Sequence, residues 1–163
     1  GGCYQIKNTN TILHALKELK ALGYRIEEQS VRNGFSHVNE LTGLMGRWQQ
    51  LSDAPLLICD TGHNIGGITY ITQQIKSIPY HHLHIVIGMV NDKDIRGVLS
   101  LLPQEASYYF TKASVKRALP EGELQSIANE FGLKGTTYPS VESAVRADNN
   151  TDVLSAFRST LSL

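Results

Sequence analysis

"LLICDTGHNIGG", Leu56 to Gly67, decides how this sequence is read. An apolar run ends in an acid, and a histidine and an asparagine follow amid glycines. Leu56 to Cys59 have the length and composition of a buried strand, and "GITYITQQIKSI" after them has the spacing of an amphipathic helix. A strand that delivers polar side chains into a Gly-rich turn is how open α/β sheets build ligand sites, at the carboxyl ends of their strands. Gly62, Gly66 and Gly67 let the backbone pass close to a ligand, and a helix opening near Gly66 offers unsatisfied N–H groups to an anion. The spacing is neither G-x-G-x-x-G nor a Walker A loop, which needs a Lys followed by Ser or Thr. Asp60 and Asn64 also have a purely local reading, in which they satisfy turn and cap donors.

Downstream the pattern keeps alternating. "LHIVIGMV" and "ASYYFTKA" read as strands, "DIRGVLSLL" and "EGELQSIANEF" as helices, "GTTYP" as a weak strand and "SVESAVRA" as a helix, with a last apolar run at "DVLSAF". Repeated β-α units imply an α/β fold, a mostly parallel sheet with helices on both faces. Upstream, "NTILHALKELKAL" places Ile12, Leu16 and Leu19 on one helical face with Leu13 beside them, and Gly23 supplies a stop. Val31, Phe35 and Val38 predict a second helix. The glycines at 43 and 46 in "ELTGLMGRW" then break the periodicity, so a short helical segment with its linker, residues 1–46, precedes an α/β domain over 47–163.

The 163 residues suffice for one domain plus a fragment, and fifteen Lys and Arg balance fifteen Asp and Glu. That balance lacks the basic footprint of a nucleic-acid or anionic-membrane binder. Cys3 and Cys59 lie far apart, with Cys59 inside the apolar run, which fits a reducing cytoplasm. No apolar stretch has the length of a bilayer-spanning helix, and "GGCYQIKNTN" has no signal-peptide pattern; it reads as the middle of a longer chain.

Other polar groups follow the strands. Arg47 in "GRWQ" could fork onto phosphate or carboxylate oxygens, or stack on its own Trp48. Asp92 or Asp94 in "NDKDI" is expected to cap the succeeding helix. Lys112, Lys116 and Arg117 in "TKASVKRALP" form a basic loop at the expected ligand edge, suited to a substrate bearing carboxylates. In "HHLH", only His82 and His84 share a face and no Cys, Asp or Glu joins them nearby, so no metal site is expected there. No G-x-S-x-G elbow occurs.

Taken together, "YQIKNTNT", "LTGLMGRWQ", "DTGHN", "DKDI" and "TKASVKRALP" resemble, in order and phrasing, folylpolyglutamate synthase with dihydrofolate synthase activity, in the Mur ligase superfamily. The likeness runs from Gly2 to about Ala147. It implies that residues 1–46 are the helical tail of a central ATPase domain and that the remainder is the Rossmann-like C-terminal domain. Such enzymes phosphorylate a folate or pteroate carboxylate with ATP, and the amine of L-glutamate attacks the acyl phosphate. By resemblance Asn8 would hydrogen-bond adenine with Gln5 in support, Arg47 would reach the nucleotide phosphates, Asp60 the ribose, and His63 the γ-phosphate and incoming glutamate. Asn64, Lys112 and Arg117 would help hold the substrate.

The family's T-N-G-K-G-S loop, magnesium ligands and modified lysine do not occur in this sequence, so the chain is expected to be a fragment, inactive alone. Its Mg would be held by the N-terminal ATPase domain, its natural partner within one monomeric protein. The chain ends "NNTDVLSAFRSTLSL" without the Gly-Ser step that the family carries near its glutamate pocket. A competing reading is a non-catalytic flavodoxin-like or receiver-like ligand-binding module. A receiver needs clustered acids after its first strand and an acid after a later one; "DTGHN" provides one and "YYFTKA" none.

Overall fold

The computed structural model describes residues 5–91, 94–147 and 153–158, with backbone alone at 5–7, 39 and 153–158. Asp92 and most of the last fifteen residues, on which part of the cap and tail readings fall, lie outside the described residues. The chain divides into two compact units between Met45 and Gly46.

The first unit holds α1 (Gln5–Ala21), α2 (Glu28–Ser36) and α3 (Val38–Thr42). α1 starts five residues earlier than the apolar spacing from Asn10 indicates, and it stops where expected, before Gly23 in the left-handed region at φ +94°. The Val31, Phe35, Val38 periodicity does not run through one helix. α2 stops at Ser36, His37 turns its N–H back to the Asn33 carbonyl, and Val38 opens α3. Gly34 and Ser36, both weak helix formers, leave too little propensity to carry α2 onward. Ile12, Leu16, Ile26, Val31, Phe35 and Val38 line an apolar groove of about 330 Å³ in this unit.

The second unit is a six-stranded sheet in the order β1-β2-β6-β3-β4-β5. Its strands are β1 (Gln49–Asp53), β2 (Leu56–Asp60), β3 (Leu83–Gly88), β4 (Ser107–Thr111), β5 (Gly135–Tyr138) and β6 (Val153–Arg158). All pair in parallel except β1, which folds back antiparallel on β2. Every residue of β3 is buried, as the unbroken apolar run requires for a strand with neighbours on both sides and helices above and below. The last apolar run, "VLSAF", becomes β6 and inserts between β2 and β3.

Four helices complete it: α4 (Ile65–Lys76), α5 (Ile95–Leu99), α6 (Glu121–Glu130) and α7 (Val141–Ala147). The period of two along β3 sorts them to opposite faces. Leu83, Ile85 and Ile87 pack with Ile68, Ile71 and Ile75 of α4, Leu99 of α5 and Leu124 of α6, whereas Val86 packs with Ala144 of α7, flanked by Tyr109 and Tyr138. Asp94 caps α5 as expected, its carboxylate accepting from Gly97 N at 2.9 Å. Gly135 cannot be exchanged in β5, because a Cβ there would lie 1.9 Å from the Tyr108 carbonyl oxygen. The Tyr108 hydroxyl donates to the Pro103 carbonyl at 2.6 Å, and burial, with Glu105 adding to it, pushes that phenol far above its ordinary range. Among the described residues no helix is long and apolar enough to cross a membrane.

Candidate functional site

β2 ends at Asp60, which is 1% exposed. Its carboxylate accepts two backbone N–H groups, from Trp48 at Oδ2 and Gly62 at Oδ1, both at 2.7 Å. The local reading of Asp60 is therefore realised, on a loop that the sequence did not show to be adjacent. The antiparallel hairpin explains the adjacency. Gln49 pairs with Cys59, so the three residues before Gln49 run on alongside the three after Cys59, and "GRW" comes to lie against "DTG".

That edge is held densely. Thr61 N donates to the Gly46 carbonyl at 2.8 Å, and Thr61 Oγ1 donates to the same oxygen at 3.0 Å. Gly46 N donates to Gln49 Oε1 at 3.0 Å. Gly46 is buried with φ +71°, and Trp48 takes φ +51°, a left-handed conformation that strains any residue with a Cβ. The Asp60 contact to Trp48 N and the packing of the Trp48 ring against the main core hold that strain in place.

Arg47, half-buried between these two residues, donates from Nη1 to Thr61 Oγ1. Among the described residues its guanidinium has no carboxylate partner, and it does not stack on Trp48. Its hydrogen-bond partner there is a neutral hydroxyl, which leaves the guanidinium charge uncompensated by that contact. His63, also half-buried, places Nδ1 3.0 Å from the Thr61 carbonyl. A carbonyl only accepts, so Nδ1 carries the proton and Nε2 is the nitrogen left to work. Thr61 thus joins Arg47 and His63; it lies within "DTGHN", but neither periodicity nor that motif's acid, imidazole and amide single it out.

Asn64 is the N-cap of α4, its Oδ1 accepting from Gly67 N at 2.8 Å. Gly62 is required by packing, since a Cβ would fall 2.3 Å from the Cδ1 of the fully buried Ile71. At Gly66 and Gly67 a Cβ would meet nothing closer than Asn64 Oδ1, at 3.6 and 3.4 Å. The domain's own packing has no need of these two glycines, which weaken a helix by about 1 kcal/mol each. The surface over the first turn of α4 is left bare beside Asn64.

The basic loop after β4 lies on the same carboxyl rim, because β2 and β4 run parallel. Two strands intervene, a separation of about 14 Å at the usual strand spacing. Asn91 N donates to the Arg117 carbonyl and Leu119 N to that of Met89, which folds this loop onto the end of β3. Lys112, Lys116 and Arg117 are exposed there. Asn8 is exposed on α1, in the first unit. His82 and His84 do share a face, their rings 4.6 Å apart, but each faces a hydroxyl, Ser107 and Tyr109 respectively, at 2.9 Å. Among the described residues no three His, Cys, Asp or Glu converge as a metal site.

A half-buried cation and an imidazole with one committed nitrogen thus lie on one sheet rim beside the Asn64-capped N-terminus of α4. Over residues 46–154 the chain matches the Mur ligase, glutamate ligase domain. It is 37% identical over 89 residues to the dihydrofolate synthase/folylpolyglutamate synthase of Escherichia coli, covering 54% of this chain and 20% of that protein. A bifunctional folylpolyglutamate synthase/dihydrofolate synthase from Yersinia pestis, complexed with AMPPNP and Mn, superposes with TM-score 0.70 at 28% identity, over 89% of this chain and 35% of that one. The Mycobacterium tuberculosis folylpolyglutamate synthase complexed with ADP and AMPPCP shares the fold over 97% of this chain and 38% of its own, with TM-score 0.78 at 24% identity. The chain thus spans well under half the length of these relatives. With the domain match extending over most of its residues, it belongs to the Mur ligase family through the glutamate ligase domain.

Proposed function

We propose that this chain is the C-terminal part of an ATP-dependent ligase that adds L-glutamate to folates, a folylpolyglutamate synthase or a dual folylpolyglutamate and dihydrofolate synthase. Residues 1–46 would be the tail and linker of its ATPase domain and 47–163 the domain that closes over the nucleotide. The observation that carries this reading is the Arg47 guanidinium, turned toward the rim by a hydroxyl and unmatched by any carboxylate among the described residues. A half-buried cation so placed favours an anion, and the relatives' structures hold adenine nucleotides.

The reaction has two steps. A folate or dihydropteroate carboxylate oxygen attacks the γ-phosphorus and ADP leaves; the glutamate amine then attacks the acyl carbon and phosphate leaves. Negative charge builds on phosphoryl oxygens and on a tetrahedral carbon, so pre-oriented cations and N–H donors lower the barrier. Arg47 is assigned to the phosphates and Asn8 to adenine; Asp60, buried with both oxygens on backbone N–H groups, is assigned to holding the Arg47 loop in place of the ribose contact that the resemblance implied. His63 is assigned to the γ-phosphate and glutamate, with Asn64, Lys112 and Arg117 around the substrate. The described residues do not fit magnesium, whose ligands belong to the N-terminal ATPase domain in this reading. The complete protein works as a cytoplasmic monomer, without nucleic acid or membrane partners.

Arg47→Ala in the complete ligase should raise KM for ATP about tenfold or more, the worth of one charge-assisted hydrogen bond, with a smaller effect on kcat. Unchanged ATP dependence would remove the assignment. The isolated chain should bind ATP weakly or undetectably in a calorimeter, since half of the site lies elsewhere; tight binding would contradict a split site.

A further inference from the structure

We infer that Thr61 is a positioning residue for nucleotide use: its hydroxyl aims the Arg47 guanidinium. The inference rests on the reading of Arg47 given above and deepens it. The Thr61 hydroxyl proton is directed to the Gly46 carbonyl, so a lone pair of the same oxygen is left for Arg47 Nη1, which donates to it. The direction of one bond therefore fixes the direction of the other. The hydroxyl is not needed to hold the loop, because Thr61 N grips the same Gly46 carbonyl at 2.8 Å and Asp60 grips Trp48 N. What the hydroxyl adds is control of a long, rotamer-rich side chain. A carboxylate at this position would orient Arg47 equally well and cancel its charge; a hydroxyl orients it and leaves the charge whole.

The experiment compares four forms of the complete ligase: wild type, Thr61→Val, Thr61→Ser and Thr61→Val combined with Arg47→Ala, with Arg47→Ala alone as reference. For each, KM for ATP and kcat are measured, and the affinity for the non-hydrolysable analogue AMPPNP is measured by calorimetry. Thr61→Val keeps the shape of the side chain and both backbone clamps. It should raise KM and weaken AMPPNP binding about three- to tenfold, with kcat within twofold and the thermal midpoint little changed. Thr61→Ser, which retains the hydroxyl, should restore wild-type binding. In the Arg47→Ala background, Thr61→Val should add nothing. If Thr61→Val weakens binding equally with and without Arg47, or if Ser fails to rescue it, the hydroxyl acts through packing and the inference is overturned. If Arg47→Ala weakens ATP use while Thr61→Val does not, this inference alone fails. If Arg47→Ala has no effect on ATP use, the reading of Arg47 itself fails.

Discussion

Asp60→Ala is expected to lower the stability of the second unit by about 3 kcal/mol, the cost of leaving two N–H groups without their charge-assisted acceptor at a buried position. For a domain of this size that is a fall of roughly 10 °C in the thermal midpoint. The same change should weaken ATP use, because Trp48 N loses the carboxylate that holds it in the left-handed region. Once released, the Arg47–Trp48 segment relaxes toward an unstrained conformation and takes the guanidinium with it. Asp60→Asn should fall between wild type and alanine. Its amide keeps one acceptor oxygen but presents an NH2 to the second N–H, so one bond is lost and two donors face each other. Thermal unfolding followed by circular dichroism, with KM for ATP on the same preparations, checks both halves. A stable Asp60→Ala with normal KM would mean that the hairpin needs no carboxylate to set the Arg47 loop.

How far the sequence carried depended on where side chains pack. β3 announces itself because "LHIVIG" is buried on both faces, and α4 because Ile68, Ile71 and Ile75 recur at helical spacing toward one core. β1 gave no signal. "QQLSD" is an edge strand whose one large apolar residue, Leu51, is 50% exposed, so no alternation marks it. It exists through pairing with β2, and pairing is a long-range property that a window of residues does not contain. The same gap hid the role of Thr61. Arg47, Asp60 and His63 stand out as polar residues, but only the hairpin register brings Arg47 onto Thr61, whose carbonyl His63 also meets, and Trp48 N onto Asp60. The split of α2 from α3 at His37 is a third case, in which apolar spacing persists across a break that the backbone makes.

The second large effect is expected at His63. His63→Ala in the complete ligase should reduce kcat about a hundredfold, within the range of positioned proton-transfer groups, while the fold is retained. The structural cost is small: the imidazole is half-exposed, and the one hydrogen bond lost, to the Thr61 carbonyl, is worth about 1 kcal/mol. With Nδ1 held by that carbonyl, Nε2 of the neutral ring can take a proton from the glutamate ammonium before the amine attacks, or, in the doubly protonated imidazolium, donate to a phosphoryl oxygen, and the two roles separate experimentally. His63→Gln places an amide near the position of Nε2 and can hydrogen-bond but not exchange a proton. If Gln restores most of the turnover, His63 stabilises charge; if Gln is as slow as Ala, it carries the proton. Wild-type turnover in His63→Ala would remove the imidazole from the chemistry altogether, and the work at this rim would then fall to Arg47 and the first turn of α4.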